Sequence, residues 1–288
     1  MNATLHLVVT AAVCMLAVPP LAGARWVWRS PRTGILLWQL VGLTFVLCAV
    51  GAALTVGLAP YHRDVPTAVH RWLTGAPADL TPVHVAALAA AAGLAGALLA
   101  MLGWSWLAVL RTRRRHRATL SLVAREDPAA PGALILDHPL TVAYCLPGRR
   151  SRVVLSSGAL RALRPAEIAA VLAHERTHAR ERHDLVLLPF AALRRLPLGR
   201  VAAEAVALLV EMRADEGACR AGGTRELATA LRRFDGGTPA GTMAIADRAI
   251  QARLDRLTST EPLSRAARWL VLATGLVLVS TPLSFLVI

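Results

Sequence analysis

Residues 165–184 read PAEIAAVLAHERTHARERHD, and the way this stretch must coil decides much of what the chain can be. Pro165 suits the first turn of a helix, where its missing N–H costs nothing, and Ile168, Val171 and Leu172 recur at helical spacing. A helix is therefore predicted from Pro165 to about Arg182. At 3.6 residues per turn, His174 and His178 stand one above the other on one face, with Glu175 beside them in the order HExxH. Two imidazoles so placed can converge on one cation, and zinc accepts such a pair at about 2.0–2.1 Å while leaving room for a carboxylate and a water. Glu175 could then take a proton from water attacking a polarised carbonyl. The competing reading is a solvated helix, laced with Arg176, Arg180, Glu181 and Arg182, on which the histidines carry no chemistry.

A third ligand is the natural next question. His183 lies five residues beyond His178 with no glycine between, so the HExxHxxGxxH arrangement is absent. A second helix is predicted from about Arg200 to Cys219, closed by Gly222 and Gly223, and on it Glu211 and Asp215 share a face four residues apart. A glutamate there could complete the metal's ligand set while the aspartate accepts a hydrogen bond from a ligand histidine. Spacing alone leaves Glu204 and Glu216 as equal alternatives to Glu211.

Further out, the chain is too apolar for an ordinary soluble domain: 55% of its 288 residues are hydrophobic, 17% are charged, and the mean hydropathy is +0.50. Disorder and collagen-like architectures are excluded by the same numbers. Four runs, 4–22, 35–59, 83–110 and 269–288, can each cross a hydrocarbon core of about 30 Å. The first could instead be a cleaved signal segment, since Ala22-Gly23-Ala24 resembles a cleavage site, but no basic residue precedes it. All 32 basic residues are arginine, and net charge is +14. Arg25, Arg29 and Arg32 follow the first run, Arg111, Arg113, Arg114, Arg115 and Arg117 the third, and Arg265 and Arg268 precede the fourth. In the 60–82 connection, Arg63 and Arg71 are offset by Asp64 and Asp79. Positively charged loops stay on the cytoplasmic side, so the expected layout is three transmembrane helices in 1–110, a cytoplasmic domain over 111–268 and a last transmembrane helix over 269–288. The expected localisation is thus the cell membrane, multi-pass.

Within 111–268, short β-like runs at Ala133–Leu136, Thr141–Cys145 and Arg152–Leu155 are separated by turn signals at Pro139, Pro147 and Gly148, and the rest is helical. The fold class expected is an α+β membrane protein with about four transmembrane helices. Leu185–Leu198 is apolar but interrupted by Pro189, Arg194, Arg195 and Pro197, so it should lie against the membrane or between helices rather than span. Cys14, Cys48, Cys145 and Cys219 have no framework spacing. His6, His62, His70 and His84 have no ligand spacing, and Trp26, Trp28, Trp104 and Trp106 suit the membrane interface. The Arg111–Arg117 cluster lacks the aromatic interleaving of a nucleic-acid site, so the lipid bilayer is the expected partner and direct nucleic-acid binding is not. Arg-rich amphipathic helices near Glu226–Phe234 and Ala246–Leu257 could cover the site or contact another subunit in an oligomer.

Taken in order, Ala143-Tyr144-Cys145, Arg152-Val153-Val154-Leu155-Ser156, Pro165-Ala166-Glu167, the HExxH and the Glu-x-x-x-Asp pair, with apolar runs before and after, resemble the BlaR/MecR-type membrane metallopeptidases. The resemblance implies a gluzincin-like cytoplasmic zinc peptidase domain with His174, His178 and Glu211 as metal ligands, Glu175 as base and Asp215 bonded to a ligand histidine. Asp184 falls where that family often has an aspartate and is read as structural. The antibiotic sensors of that family carry an extracellular penicillin-binding domain after their last span; no such domain is expected here. The resemblance implies hydrolysis of a protein or peptide substrate, a winged-helix transcriptional repressor or another regulatory protein. The rivals are an HtpX-like peptidase of membrane-protein quality control and a non-catalytic membrane signalling scaffold. An extended substrate could pair with a strand edge, either Thr141–Cys145 or Arg152–Ser157. Tyr144 and Arg213 could assist an oxyanion, but packing and surface roles are preferred.

Overall fold

The computed structural model describes residues 3–61, 64–126, 128, 130–146, 152–221, 223–235, 243–259 and 261–287; His62, Arg63, Pro147, Gly148, Gly222 and Ile288 lie outside the described residues. The chain is mostly helical and divides into two compact units, 1–104 with 192–202 and 263–288, and 105–191 with 203–262.

In the first unit, α1 (Ala3–Gly23) and α11 (Arg265–Val287) both pack on α2 (Pro31–Gly57). These three and α4 (Pro82–Val123) are long and apolar enough to be candidate membrane spans. Their outward faces fit that environment, with Leu16, Leu99, Trp104 and Trp269 each more than 60% exposed. Between α2 and α4, a helix that the sequence reading did not anticipate, α3 (Val65–Leu73), is capped by Asp64, which accepts a hydrogen bond from Thr67 N at 2.9 Å. The third apolar run was expected to end at Leu110, but its helix continues through the arginine cluster to Val123. Arginine and leucine are good helix formers and no proline or glycine interrupts 104–123, so loss of hydrophobicity ends the apolar run without ending the helix.

The second unit is built on a four-stranded sheet ordered β1-β2-β4-β3, from β1 (Arg125–Glu126), β2 (Ala133–Leu136), β3 (Ala143–Leu146) and β4 (Arg152–Ser156). β2 and β4 are parallel, and the outer pairs are antiparallel. Alternation along the strands separates two cores. Ala133, Ile135, Val153 and Leu155 pack with Ile168, Val171 and Leu172 of α6 (Pro165–Arg180), while Val154 and Leu146 pack with Leu120 of α4. β4 is buried on both faces and paired on both edges, so it cannot receive a substrate strand; of the two candidate edges, only β3 is at the border of the sheet. The unbroken apolar run Val153-Val154-Leu155 is the signature of such an interior strand.

The α6 helix starts as its sequence requires, with Pro165 in the first turn and the Glu167 carboxylate accepting from the Arg164 N–H at 2.9 Å. Glu167 also pairs at 3.0 Å with Arg233 of α9 (Thr224–Asp235). α6 ends at Arg180, and Arg182, with φ 49°, turns the chain into α7 (His183–Leu193), which occupies most of the interrupted Leu185–Leu198 segment. α8 (Pro197–Arg220) then returns past α6, and α9 and α10 (Met243–Ser259) join it through Ala170, Ala218, Leu227, Leu231 and Leu254.

Candidate metal centre

Helical spacing on α6 brings the Nε2 atoms of His174 and His178 to 3.1 Å from each other. α8 faces them with the Glu211 carboxylate, whose oxygens lie 3.3 Å from His174 Nε2 and 3.5 Å from His178 Nε2. One ligand atom from each of these three residues fits within a 4.8 Å cluster. Two imidazoles and one carboxylate are the donor set that zinc accepts, and they converge without rearrangement of the helices. The approach of α8 depends on Gly217: a Cβ there would sit 2.0 Å from Thr177 Oγ1, on the α6 turn between the two histidines. The alternatives left open by spacing do not join the group. Glu204 lies seven residues earlier on α8, a rise of about 10 Å, and Glu216 is engaged by Arg213 at 2.6 Å and by Arg256.

Behind His174, Asp215 is 1% exposed, with Oδ1 3.0 Å from the ring Nδ1, close but without full hydrogen-bond alignment. Arg253 of α10 holds the same carboxylate with two bonds of 2.6 and 2.9 Å and also approaches Glu211 at 3.2 Å. Burial alone would raise the pKa values of Asp215 and Glu211. For Asp215 the bonds from Arg253 and the nearby His174 overcome it and the pKa falls; for Glu211 the adjacent His174 and the charge of Arg253 bring it to about 2. Burial likewise works against protonation of His174, but Asp215 and Glu211 raise it to about 9, whereas burial wins at His178 and lowers it to about 4. His174 and His178 thus have opposite surroundings.

Glu175 faces a cavity of about 510 Å³ that it lines together with Tyr144 and Cys145 of β3, His183 and Asp184 of α7, and Arg253. Burial raises its carboxyl pKa, opposed by the positive charge of His174 and by a hydrogen bond from the Cys145 backbone N–H. That bond turns the outer edge of β3 toward Glu175. Since Val142 O bonds Ser156 N on the sheet side, residues 143 and 145 present their backbone groups outward. Tyr144 bonds His116 Nε2 at 2.7 Å, and Asp184 pairs with Arg113, so both residues lining the cavity are tied to α4. Arg213 is not among the lining residues; its guanidinium is occupied by Glu181 at 2.7 and 2.9 Å and by Glu216.

Two participants escaped the sequence reading. Arg253 belonged to a helix recognised only as Arg-rich and amphipathic, and nothing in its spacing pointed to Asp215, 38 residues away. His183 stands five residues after His178, outside the HExxHxxGxxH pattern, so no local spacing signals its contact with that ring.

A sheet with an edge strand beside an HExxH helix, faced by a carboxylate from a later helix, defines the metallopeptidase class of site. Comparison with known families agrees: residues 109–234 match the model of Peptidase family M48, which supports a metallopeptidase domain. No curated protein and no solved structure gives a significant match.

Proposed function

We propose that this chain is an integral membrane zinc endopeptidase of the BlaR/MecR type, with its catalytic face in the cytoplasm and a regulatory protein, specifically a winged-helix transcriptional repressor, as substrate. The single observation that carries the enzymatic part is the convergence of His174, His178 and Glu211 on one point beside Glu175, at a cavity bordered by a strand edge. A zinc ion bound there supplies Lewis acidity toward a peptide carbonyl and a water. The outward N–H and carbonyl of Ala143 and the Cys145 carbonyl pair with an extended substrate and align its scissile bond across the cavity, while the Cys145 N–H holds Glu175. Glu175, its proton affinity raised by burial, takes the proton of the attacking water and passes it to the departing amide nitrogen. Asp215 and Arg253 keep His174 and Glu211 oriented while this happens. A purely structural metal site has no use for a glutamate opening into a cavity, which favours the enzyme over the scaffold.

The repressor as substrate rests on the family resemblance and on the arginine distribution. Purified full-length chain should take up one zinc and cut a co-purified candidate repressor at one preferred bond. Glu175→Ala should keep the metal and lower cleavage by at least about 100-fold. Zinc uptake with unchanged cleavage in that variant would refute the assigned role, and indiscriminate cutting of damaged membrane proteins would move the assignment to quality control.

A further inference from the structure

His183 opens α7 and is 3% exposed. The turn before it contains Arg182 at φ 49°, a left-handed conformation that residues bearing a Cβ rarely adopt, and it folds His183 back onto His178. The two Nδ1 atoms are 2.9 Å apart, with the rings perpendicular and their centroids 4.8 Å apart. The other nitrogen of His178, Nε2, points the opposite way, toward His174 and Glu211. The two nitrogens of this ring therefore have separate partners. A neutral imidazole that gives its Nε2 lone pair to a cation carries its proton on Nδ1, and that proton needs an acceptor. For His178 Nδ1, the side-chain acceptor within reach among the described residues is His183 Nδ1.

We infer that His183 is a positioning residue, which accepts the Nδ1 proton of His178 and so fixes the tautomer and ring orientation of that ligand, the part that the Asp215 carboxylate, 3.0 Å away, is placed to play for His174. The inference rests on the metallopeptidase reading. Accepting at Nδ1 leaves the proton of His183 on Nε2, and this atom lies 3.6 Å from Glu181 Oε2. Glu181 is itself clamped by the Arg213 guanidinium, so the row from His178 to Arg213 ends on a fixed charge. One ligand histidine is thus backed by a buried carboxylate and the other by a neutral ring, whose Nε2 faces Glu181 at 3.6 Å, beyond hydrogen-bond distance.

The test uses full-length chain in detergent, with zinc affinity measured by chelator competition and ligand geometry by the visible spectrum of the cobalt-substituted protein. His183→Asn keeps an acceptor near the Nδ1 position; His183→Phe keeps a ring without one, and His183→Leu is a second acceptor-free variant should Phe not be accommodated. The Phe and Leu variants should weaken zinc binding about 10- to 100-fold and shift the cobalt bands, with Asn within about threefold of wild type. Wild-type affinity in the Phe and Leu variants, or an Asn variant as weak as they are, overturns the inference. A wild-type chain that takes up no zinc overturns the metallopeptidase reading, and this inference with it.

Discussion

Two opposed influences act on His174. Burial disfavours its charge, yet Asp215 and Glu211 raise its pKa to about 9. Relative to an unfolded value of about 6.5, a raised pKa contributes stability that is fully present below pH 6.5 and lost as pH rises through about 9. His178 and His183 are shifted the other way, chiefly by burial, so they cost stability as pH falls below about 6.5. The melting temperature of the zinc-free protein should accordingly be highest between about pH 6 and 7 and fall toward pH 9. Thermal unfolding in chelator across this range checks it, and a melting temperature that climbs from pH 7.5 to 9 contradicts it. On the proposed zinc reading, added zinc should reverse the alkaline limb, because a metal bound at Nε2 would require His174 to give up its proton.

At the scale of elements, the centre is a contact between two helices, and Gly217 sets how closely they approach. Gly217→Ala places a methyl 2.0 Å from Thr177 Oγ1, with Cβ and Cγ2 of Thr177 at 2.8 and 2.9 Å, so side-chain rotation offers no escape. Overpacking of this kind costs about 1–3 kcal/mol, and the shift of α8 it forces would carry Glu211 and Asp215 away from the histidines. We expect a lower melting temperature together with weaker zinc binding, both partly recovered by adding Thr177→Ala. A Gly217→Ala protein with wild-type affinity would show that the helices have slack. The sheet was legible in part: Ala133–Leu136 appears with the expected ends, whereas β1, two residues long, left no pattern to detect. Choosing between β3 and β4 as the edge required the pairing order, although the burial of β4 on both faces was foreshadowed by its continuous apolar run.

On the scale of the whole molecule, the proposed orientation rests on four long apolar helices that are candidate spans and on the arginine clusters beside them. A reporter that works only outside the cytoplasm should be active when fused after Gly75 and silent after Arg117. The reverse pattern would put the cavity outside the cell and remove a cytoplasmic repressor from consideration. The continuity of α4 from Pro82 to Val123 means that the helix carrying one candidate span also carries Arg113 and His116, which hold Asp184 and Tyr144 of the cavity wall.

The amino-acid sequence alone determined the candidate spans and the shared face of His174 and His178, because hydropathy and helical periodicity act over a few turns of one segment. Tertiary structure decided that Glu211, rather than Glu204 or Glu216, faces those histidines, that β3 borders the cavity, and that Arg253 stands behind Asp215. Those choices depend on which helix faces touch, and on glycine at 217 allowing them to touch closely, a matter of packing between segments far apart in sequence that no local pattern encodes.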